Sequence, residues 1–182
     1  MALRKASAYS KKHVVPFTRI SKIKRKSYIK TVPPQAIVKF SMGASELYRE
    51  EKLPHVLTMV SEENVQVRHN ALEASRQFIH KQLEKGLPGQ YYFRVIPFPH
   101  HIQRENKMLT GAGSDRMQTG MQLSFGKSSG KAAIVKAGGK IFMVAVPNEK
   151  GIKFAREIFK KVRPKLPCRT KVVYEFMKPL SA

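Results

Sequence analysis

The order of apolar and polar residues along the chain predicts several β-strands. Short apolar or alternating runs, bounded by Gly and Pro, are typical of strands. Gly138-Gly139 lies between two such runs and predicts a two-residue hairpin turn, because glycine tolerates positive φ angles. The predicted strands cover residues 37–42, 55–60, 91–98, 131–137, 140–146 and 171–177.

Two longer segments show the period of an amphipathic α-helix. In residues 61–86, Ser61 is a good N-cap, an apolar stripe steps by three and four, and Gly86 suits the C-terminus. The second helix covers residues 148–163 and ends before Pro164. Strands and helices together predict an α+β fold, a sandwich of mainly antiparallel strands with two amphipathic helices.

Two segments fit neither period. Residues 1–35 mix cations with aromatic and apolar residues, and three prolines prevent a long helix, so we expect an extended basic arm. Residues 99–130 are rich in Gly, Gln, Asn, Ser and Thr, and so long an irregular segment is usually functional or disordered. We therefore predict a basic N-terminal RNA-binding arm, 1–35, and a single α+β domain, 36–182, with a long internal functional loop, 99–130.

Charge is distributed in blocks. The chain has 35 Lys+Arg and 12 Asp+Glu, a formal net charge of +23. Residues 1–45 hold 11 basic and no acidic residues, whereas residues 46–93 hold 6 basic and 7 acidic. Cations interleaved with acids would be typical of a solvated surface, and 45 residues without an acid are not. The pattern favours a polyanionic partner, and nucleic acid above all.

Other partners and sites have little support in the sequence. No run of about 18 apolar residues could span a bilayer, and no apolar stretch follows the basic N-terminus as in a secretory signal. Cys168 is the only cysteine, which excludes an intramolecular disulfide and a zinc site built on several cysteines. We expect no metal and no cofactor.

The loop contains no complete enzyme motif. A dinucleotide fingerprint beginning at Gly111 fails at Arg116, and a P-loop ending at Gly130-Lys131 fails at Phe125. His100-His101 is an adjacent pair, not the i, i+4 pair that shares one helix face. Two alternatives to a non-catalytic RNA-binding protein stay open: an RNA-modifying enzyme, and an architectural protein with similar affinity for DNA and RNA.

A long motif in this loop resembles one ribosomal protein family. It consists of residues 104–109 (RENKML), 112–113 (AG), 115–121 (DRMQTGM), 125–127 (FGK) and Gly130. The family is the large-subunit ribosomal protein called L-sixteen in bacteria and L-ten-e in archaea and eukaryotes. Two runs in the arm, 16–19 (PFTR) and 26–30 (KSYIK), resemble the archaeal form.

The resemblance implies a structural constituent of the large ribosomal subunit, cytoplasmic and without catalytic residues. It implies binding to ribosomal RNA near the aminoacyl-tRNA site and the peptidyl transferase centre, where the family helps order RNA for tRNA accommodation. The implied partners are large-subunit ribosomal RNA, the acceptor arm of tRNA through loop 99–130, and neighbouring ribosomal proteins, with no membrane and no DNA. The implied RNA-binding residues are Arg19, Lys22, Lys24, Arg25, Lys26, Lys30, Arg104, Asn106, Lys107, Arg116, Gln118 and Lys127.

Overall fold

The computed structural model describes residues 5–11, 31–105 and 127–177, together with Ile23, Arg25 and Ile29. Within these residues, every paired strand is antiparallel to its neighbour. The first five strands are β1 (Ser41–Gly43), β2 (His55–Ser61), β3 (Val65–Arg68), β4 (Tyr92–Val95) and β5 (His101–Glu105). The other three are β6 (Lys127–Val135), β7 (Lys140–Val146) and β8 (Thr170–Phe176). The helices are α1 (Ser45–Arg49), α2 (His69–Gly86) and α3 (Glu149–Val162), followed by a 3-10 turn (Arg163–Lys165).

The strands form a larger and a smaller sheet. The larger sheet has the order β1-β4-β7-β2-β8, and the smaller has the order β3-β6-β5. Helices α2 and α3 pack against each other and against strands of the sheets. The main core lies between these layers and includes residues from both sheets and both helices, such as Leu57, Val67, Ile79 and Phe159. This confirms the predicted α+β sandwich.

Alternation along the central strands separates two apolar clusters. Leu57 on β2 is paired with Val144 on β7, and both belong to the main core. Their neighbours in sequence, Val56 and Ala145, are also paired and point into a smaller cluster on the opposite face. Leu47 and Tyr48 of α1 pack against this second cluster, so that the larger sheet is covered on both faces there. The sequence pattern had missed α1.

The first predicted helix is shorter than its pattern. Ser61 ends β2, and its hydroxyl donates to the carbonyl of Glu63 at 2.8 Å rather than capping a helix. Residues 65–68 are strand β3, which is paired with β6, and α2 begins only at His69. The prediction was wrong here because the pairing with a strand far away in sequence outweighs a local helical pattern. The predicted stripe residues Ala71, Leu72, Ser75, Ile79 and Leu83 are buried on α2, together with His69, whereas Ala74, also predicted for the stripe, is exposed.

The predicted hairpin at Gly138-Gly139 is also wrong. Strands β6 and β7 belong to different sheets, so these glycines form a crossing between the sheets. Gly138 has a φ of +81°, and its N–H donates to the carbonyl of Ser61 at 2.8 Å. The N–H of Ser61 donates in return to the carbonyl of Gly139 at 2.9 Å. The crossing is therefore fixed to the end of β2.

The remaining predictions differ mainly at their ends. The strand predicted over residues 37–42 is replaced by the shorter strand β1 at 41–43. The strand predicted over residues 91–98 is observed only at 92–95, as β4. Helix α3 and strands β2, β7 and β8 lie where the sequence placed them. Within the segment predicted as loop 99–130, residues 101–105 belong to β5 and residues 127–130 to β6, so the prediction of an irregular loop was wrong there because these two strands pair with each other. Residues 106–126 lie outside the described residues.

Candidate nucleic-acid interface

Few of the predicted RNA-binding residues fall in the described part of the chain. Arg25 is exposed, Arg104 is half-buried on β5, and Lys127 begins β6. The other nine lie outside the described residues, and they are Arg19, Lys22, Lys24, Lys26, Lys30, Asn106, Lys107, Arg116 and Gln118. The described part of the candidate interface is therefore the base of the loop and the end of the arm.

The base of the loop is the paired end of β5 and β6. Arg104 is paired with Ser128, and Glu105 with Lys127, next to a register shift between Gln103 and Arg104. Arg104 and Lys127 are thus on adjacent strands at the end where the loop leaves the sheet. Burial lowers the pKa of the Arg104 guanidinium, which still stays protonated at neutral pH because arginine titrates so far above it. Two cationic residues therefore stand at the base of the loop.

The end of the arm lies against the same small sheet. The hydroxyl of Ser128 donates to the carbonyl of Thr31 at 2.6 Å. Further along, the N–H of Ala36 donates to Nδ1 of His69 at 3.0 Å, and Ile37 is fully buried. The end of the arm and the base of the loop meet in this way at the bond between Thr31 and Ser128, which are 97 residues apart in the sequence. The two segments predicted to bind RNA thus start from one surface.

His69 couples the arm to the small sheet. Burial lowers its pKa most, and the nearby charges of Arg68 and Lys131 lower it further. The neutral imidazole can accept the hydrogen bond from Ala36, which an imidazolium cannot do. Gly130 on β6 leaves room for this ring, since a Cβ there would lie 3.2 Å from its Nε2. We call the surface made by residues 31–37, Arg104 and 127–130 the arm–loop junction.

The first described residues of the arm lie along the edge of β3 that is not paired with β6. The N–H of Gln66 donates to the carbonyl of Ser10 at 3.0 Å, and its side-chain amide donates to the carbonyl of Tyr9. The ammonium of Lys11 lies 3.3 Å from the carboxylate of Glu63. Residues 5–11 form turns with a positive φ at Tyr9, so the predicted extended conformation is wrong for them. Part of the arm is therefore an integral edge of the fold.

Sequence reasoning missed a second group of cations on α3. Arg156, Lys160 and Arg163 line a cleft of about 390 Å³ with Lys171 and Val172 of β8. The spacing of four and three residues on the polar side of the helix was the signal available in the sequence. That Lys171 faces the same cleft was not visible, because β8 is brought there by its pairing with β2.

The described residues give little support to catalysis. Burial raises the pKa of the Cys168 thiol, and a reactive cysteine requires a lowered pKa. Burial also lowers the pKa of His101, with a contribution from Arg104. Among the residues described, no group of three His, Cys, Asp or Glu side chains is arranged to hold a metal ion. In the same residues, no helix combines the length and apolar character needed to cross a membrane.

Comparison with known proteins identifies the family. The model of the family described as ribosomal protein L16p/L10e matches residues 16–173. The large ribosomal subunit protein uL16 of Caldivirga maquilingensis is 40% identical over 172 residues, covering 93% of this chain and 94% of that protein. The uL16 proteins of Pyrobaculum neutrophilum and Methanococcus maripaludis are 38% and 39% identical, covering 96% and 95% of this chain and 93% and 94% of theirs. This chain therefore belongs to the ribosomal protein L16p/L10e family.

Proposed function

We propose that this protein, a non-enzymatic structural constituent of the large ribosomal subunit, binds the ribosomal RNA of that subunit through its arm and loop. In this proposal the loop lies near the aminoacyl-tRNA site and the peptidyl transferase centre and contacts the acceptor arm of tRNA. The observation that carries the proposal is the arm–loop junction, where the hydroxyl of Ser128 bonds to Thr31. Family membership supports a role in translation, within the cytoplasmic ribosome, and association with neighbouring ribosomal proteins.

The charge of the two segments supports RNA as the partner. The arm belongs to a block of 45 residues without an acid, and the loop has Arg104 and Lys127 at its base. Cations of this kind neutralise phosphates and fix the position of a protein on nucleic acid. The amide, hydroxyl and glycine residues of 106–126 suit contacts with base edges and 2′-hydroxyls.

The mechanism is electrostatic positioning on a rigid base. The small sheet holds one end of the arm beside one end of the loop, which reduces the conformational entropy that binding must remove. Phosphate neutralisation then supplies most of the affinity, and the loop supplies contacts that depend on RNA shape. The RNA performs the chemistry, and the protein orders that RNA so that tRNA is accommodated.

A salt titration tests the RNA part of the proposal. If about eight phosphates are engaged, log K for large-subunit ribosomal RNA should fall with log salt at a slope of about −6 to −7. The same protein should bind duplex DNA of equal length much more weakly. A slope shallower than about −2, or equal affinity for DNA, would refute the mechanism and favour an architectural protein.

Site-specific cross-linking tests the tRNA part. A photoreactive amino acid replacing Gln118 in the loop should cross-link to tRNA when the aminoacyl-tRNA site of isolated ribosomes is filled. The same amino acid replacing Lys81, an exposed residue of α2, is the control and should give no tRNA adduct. Cross-links from position 118 to ribosomal RNA alone would leave the RNA-binding role standing and refute the contact with tRNA.

A further inference from the structure

Helix α3 presents cations on the side that is turned away from the core. Ala155, Phe159 and Val162 are buried, while Arg156 and Lys160 are exposed. Arg163 continues the same row into the 3-10 turn that follows. Because residues three and four apart share a helix face, these cations form one row along the helix. The row from Arg156 to Arg163 extends over about 10 Å at a rise of about 1.5 Å per residue.

Strand β8 supplies the opposite wall. It is the outermost strand on one side of the larger sheet, next to β2. Lys171 and Val172 of this strand complete the α3 cleft, which we define as the space of about 390 Å³ lined by Arg156, Lys160, Arg163, Lys171 and Val172. Four of the five lining residues are cationic, and none is acidic. Among the described residues, no ion pair neutralises these four cations.

The nearby acids are placed outside the cleft. Glu175 lies 3.7 Å from Lys140, and Glu63 lies 3.8 Å from Arg169. Glu62 lines a neighbouring cleft with Arg163 and Arg169, and Glu149 lines another with Lys153 and Arg156. The α3 cleft is therefore a local concentration of positive charge with an anion-sized space and without an internal counterion.

Aromatic side chains extend this surface along β8. Tyr174 lines the adjoining cleft of about 310 Å³, which shares Arg156 with the α3 cleft. Its hydroxyl lies 2.8 Å from Nδ1 of His55, and the ring of His55 is 5.3 Å from that of Phe176. Tyr174 is 40% exposed and Phe176 is 54% exposed. Exposed aromatic rings beside cations are the combination that packs against nucleotides while phosphates are neutralised.

We propose that the α3 cleft is a second binding site for the phosphate backbone of RNA, separate from the arm–loop junction. This inference rests on the proposed function, since it takes large-subunit ribosomal RNA as the ligand. An acidic protein is a poorer fit, because protein interfaces have an apolar centre and the cleft has only Val172 as an apolar lining residue. Two separate contact surfaces allow one protein to hold two RNA segments at a fixed separation.

The test compares two double variants of equal charge. K160Q/K171Q removes two lysine charges from the cleft. The control variant, K150Q/K161Q, removes two exposed lysine charges from the first and last turns of α3, at positions that do not line the cleft. Binding of the full chain to purified large-subunit ribosomal RNA is measured from 50 to 300 mM salt. Circular dichroism and urea unfolding of both variants verify that they are folded.

We expect the cleft variant to make the slope of log K against log salt shallower by about 1.4 to 1.8, for two lost phosphate contacts. If the two proteins bind RNA with equal affinity at 1 M salt, this difference in slope corresponds to an affinity loss of roughly 25- to 60-fold for the cleft variant at 0.1 M salt. The control variant should change the slope by less than half as much. Equal effects of the two variants, or no effect of either, would overturn the cleft as a site.

The other outcomes separate this inference from the proposed function. Failure of the unmodified protein to bind the RNA would refute the proposed function itself. Strong binding of the unmodified protein, with the two variants indistinguishable, would refute only the α3 cleft. Polyglutamate serves as a probe for an acidic protein. If it binds the unmodified protein but not K160Q/K171Q, while RNA binds both with the same salt dependence, the cleft is a protein-binding face and the assignment to RNA is wrong.

Discussion

Three glycines with positive φ differ in the space around them. Gly43 has a φ of +87°, Gly89 of +68° and Gly138 of +81°. A Cβ added at Gly43 would lie 2.3 Å from the carbonyl oxygen of Tyr91, whereas one added at either of the others would meet no atom within 4 Å. Replacement by Ala therefore strains the backbone at all three positions and causes a collision only at Gly43.

The collision at Gly43 cannot be relieved by a side-chain rotation. The atom involved is a backbone oxygen, which accepts a hydrogen bond from the N–H of Ala44 at 2.8 Å. Left-handed backbone conformation costs an L-residue about 1–2 kcal/mol. Overpacking adds about 1–3 kcal/mol. We expect Gly43→Ala to lower the free energy of unfolding by about 2–5 kcal/mol, and Gly89→Ala and Gly138→Ala by about 1–2 kcal/mol each.

Urea unfolding of the four proteins measures this difference. The midpoint should fall most for Gly43→Ala, while the dependence on denaturant stays the same, because the surface exposed on unfolding does not change. The two other variants serve as controls for backbone strain without collision. If Gly43→Ala is no less stable than Gly138→Ala, the close approach of Tyr91 to the end of β1 contributes nothing, and the reasoning is refuted.

Three further predictions concern the core and the arm–loop junction. Burial is the main reason that the pKa of His69 is lowered in the folded protein, so the imidazole of the unfolded chain takes up a proton at a higher pH. The neutral His69 therefore makes its full contribution to stability above about pH 6.5, and this contribution is lost as the pH falls toward the pKa of the folded state. Urea titrations between pH 7.5 and 5.5 should show this loss, and His69→Gln should reduce it. Phe159→Ala, at a fully buried position of α3, should cost about 3–5 kcal/mol in the same assay, and a loss below 1 kcal/mol would contradict its place in the core. Tyr91→Phe removes a hydroxyl that donates to the carboxylate of Glu84 at 2.6 Å, and it should lower the free energy of unfolding by about 1–2 kcal/mol. An unchanged free energy of unfolding would mean that water fully replaces this hydrogen bond.

Local patterns identified most elements of the fold. Strands β2, β7 and β8 and helix α3 lie close to their predicted bounds, because each has a strong period or a clear stop signal. The pattern failed at Val65 to Arg68, where Val65 and Arg68 continue the helical stripe while Val65 and Val67 alternate as in a strand. Two periods that fit the same few residues cannot be distinguished without knowing that β6 is available as a partner.

The candidate site was only partly predictable for the same reason. The basic arm and the loop motif were evident, because block charge and a long motif are properties of the sequence alone. The row of cations on α3 had a visible spacing, but only the structure shows that Lys171 of β8 lines the same cleft. Nine of the twelve predicted RNA-binding residues lie outside the described part of the chain, so their roles stay predictions.

The sequence by itself determined the family, the polyanionic partner and the alternation of most strands, since charge, motif and period are local properties. Only the tertiary structure decided that β6 and β7 belong to different sheets, that the arm meets the loop at Ser128, and that α3 and β8 enclose a basic cleft. These features depend on contacts between residues far apart in the chain. Such contacts form because burying the shared core stabilises the whole arrangement, and no short stretch of sequence contains that free energy.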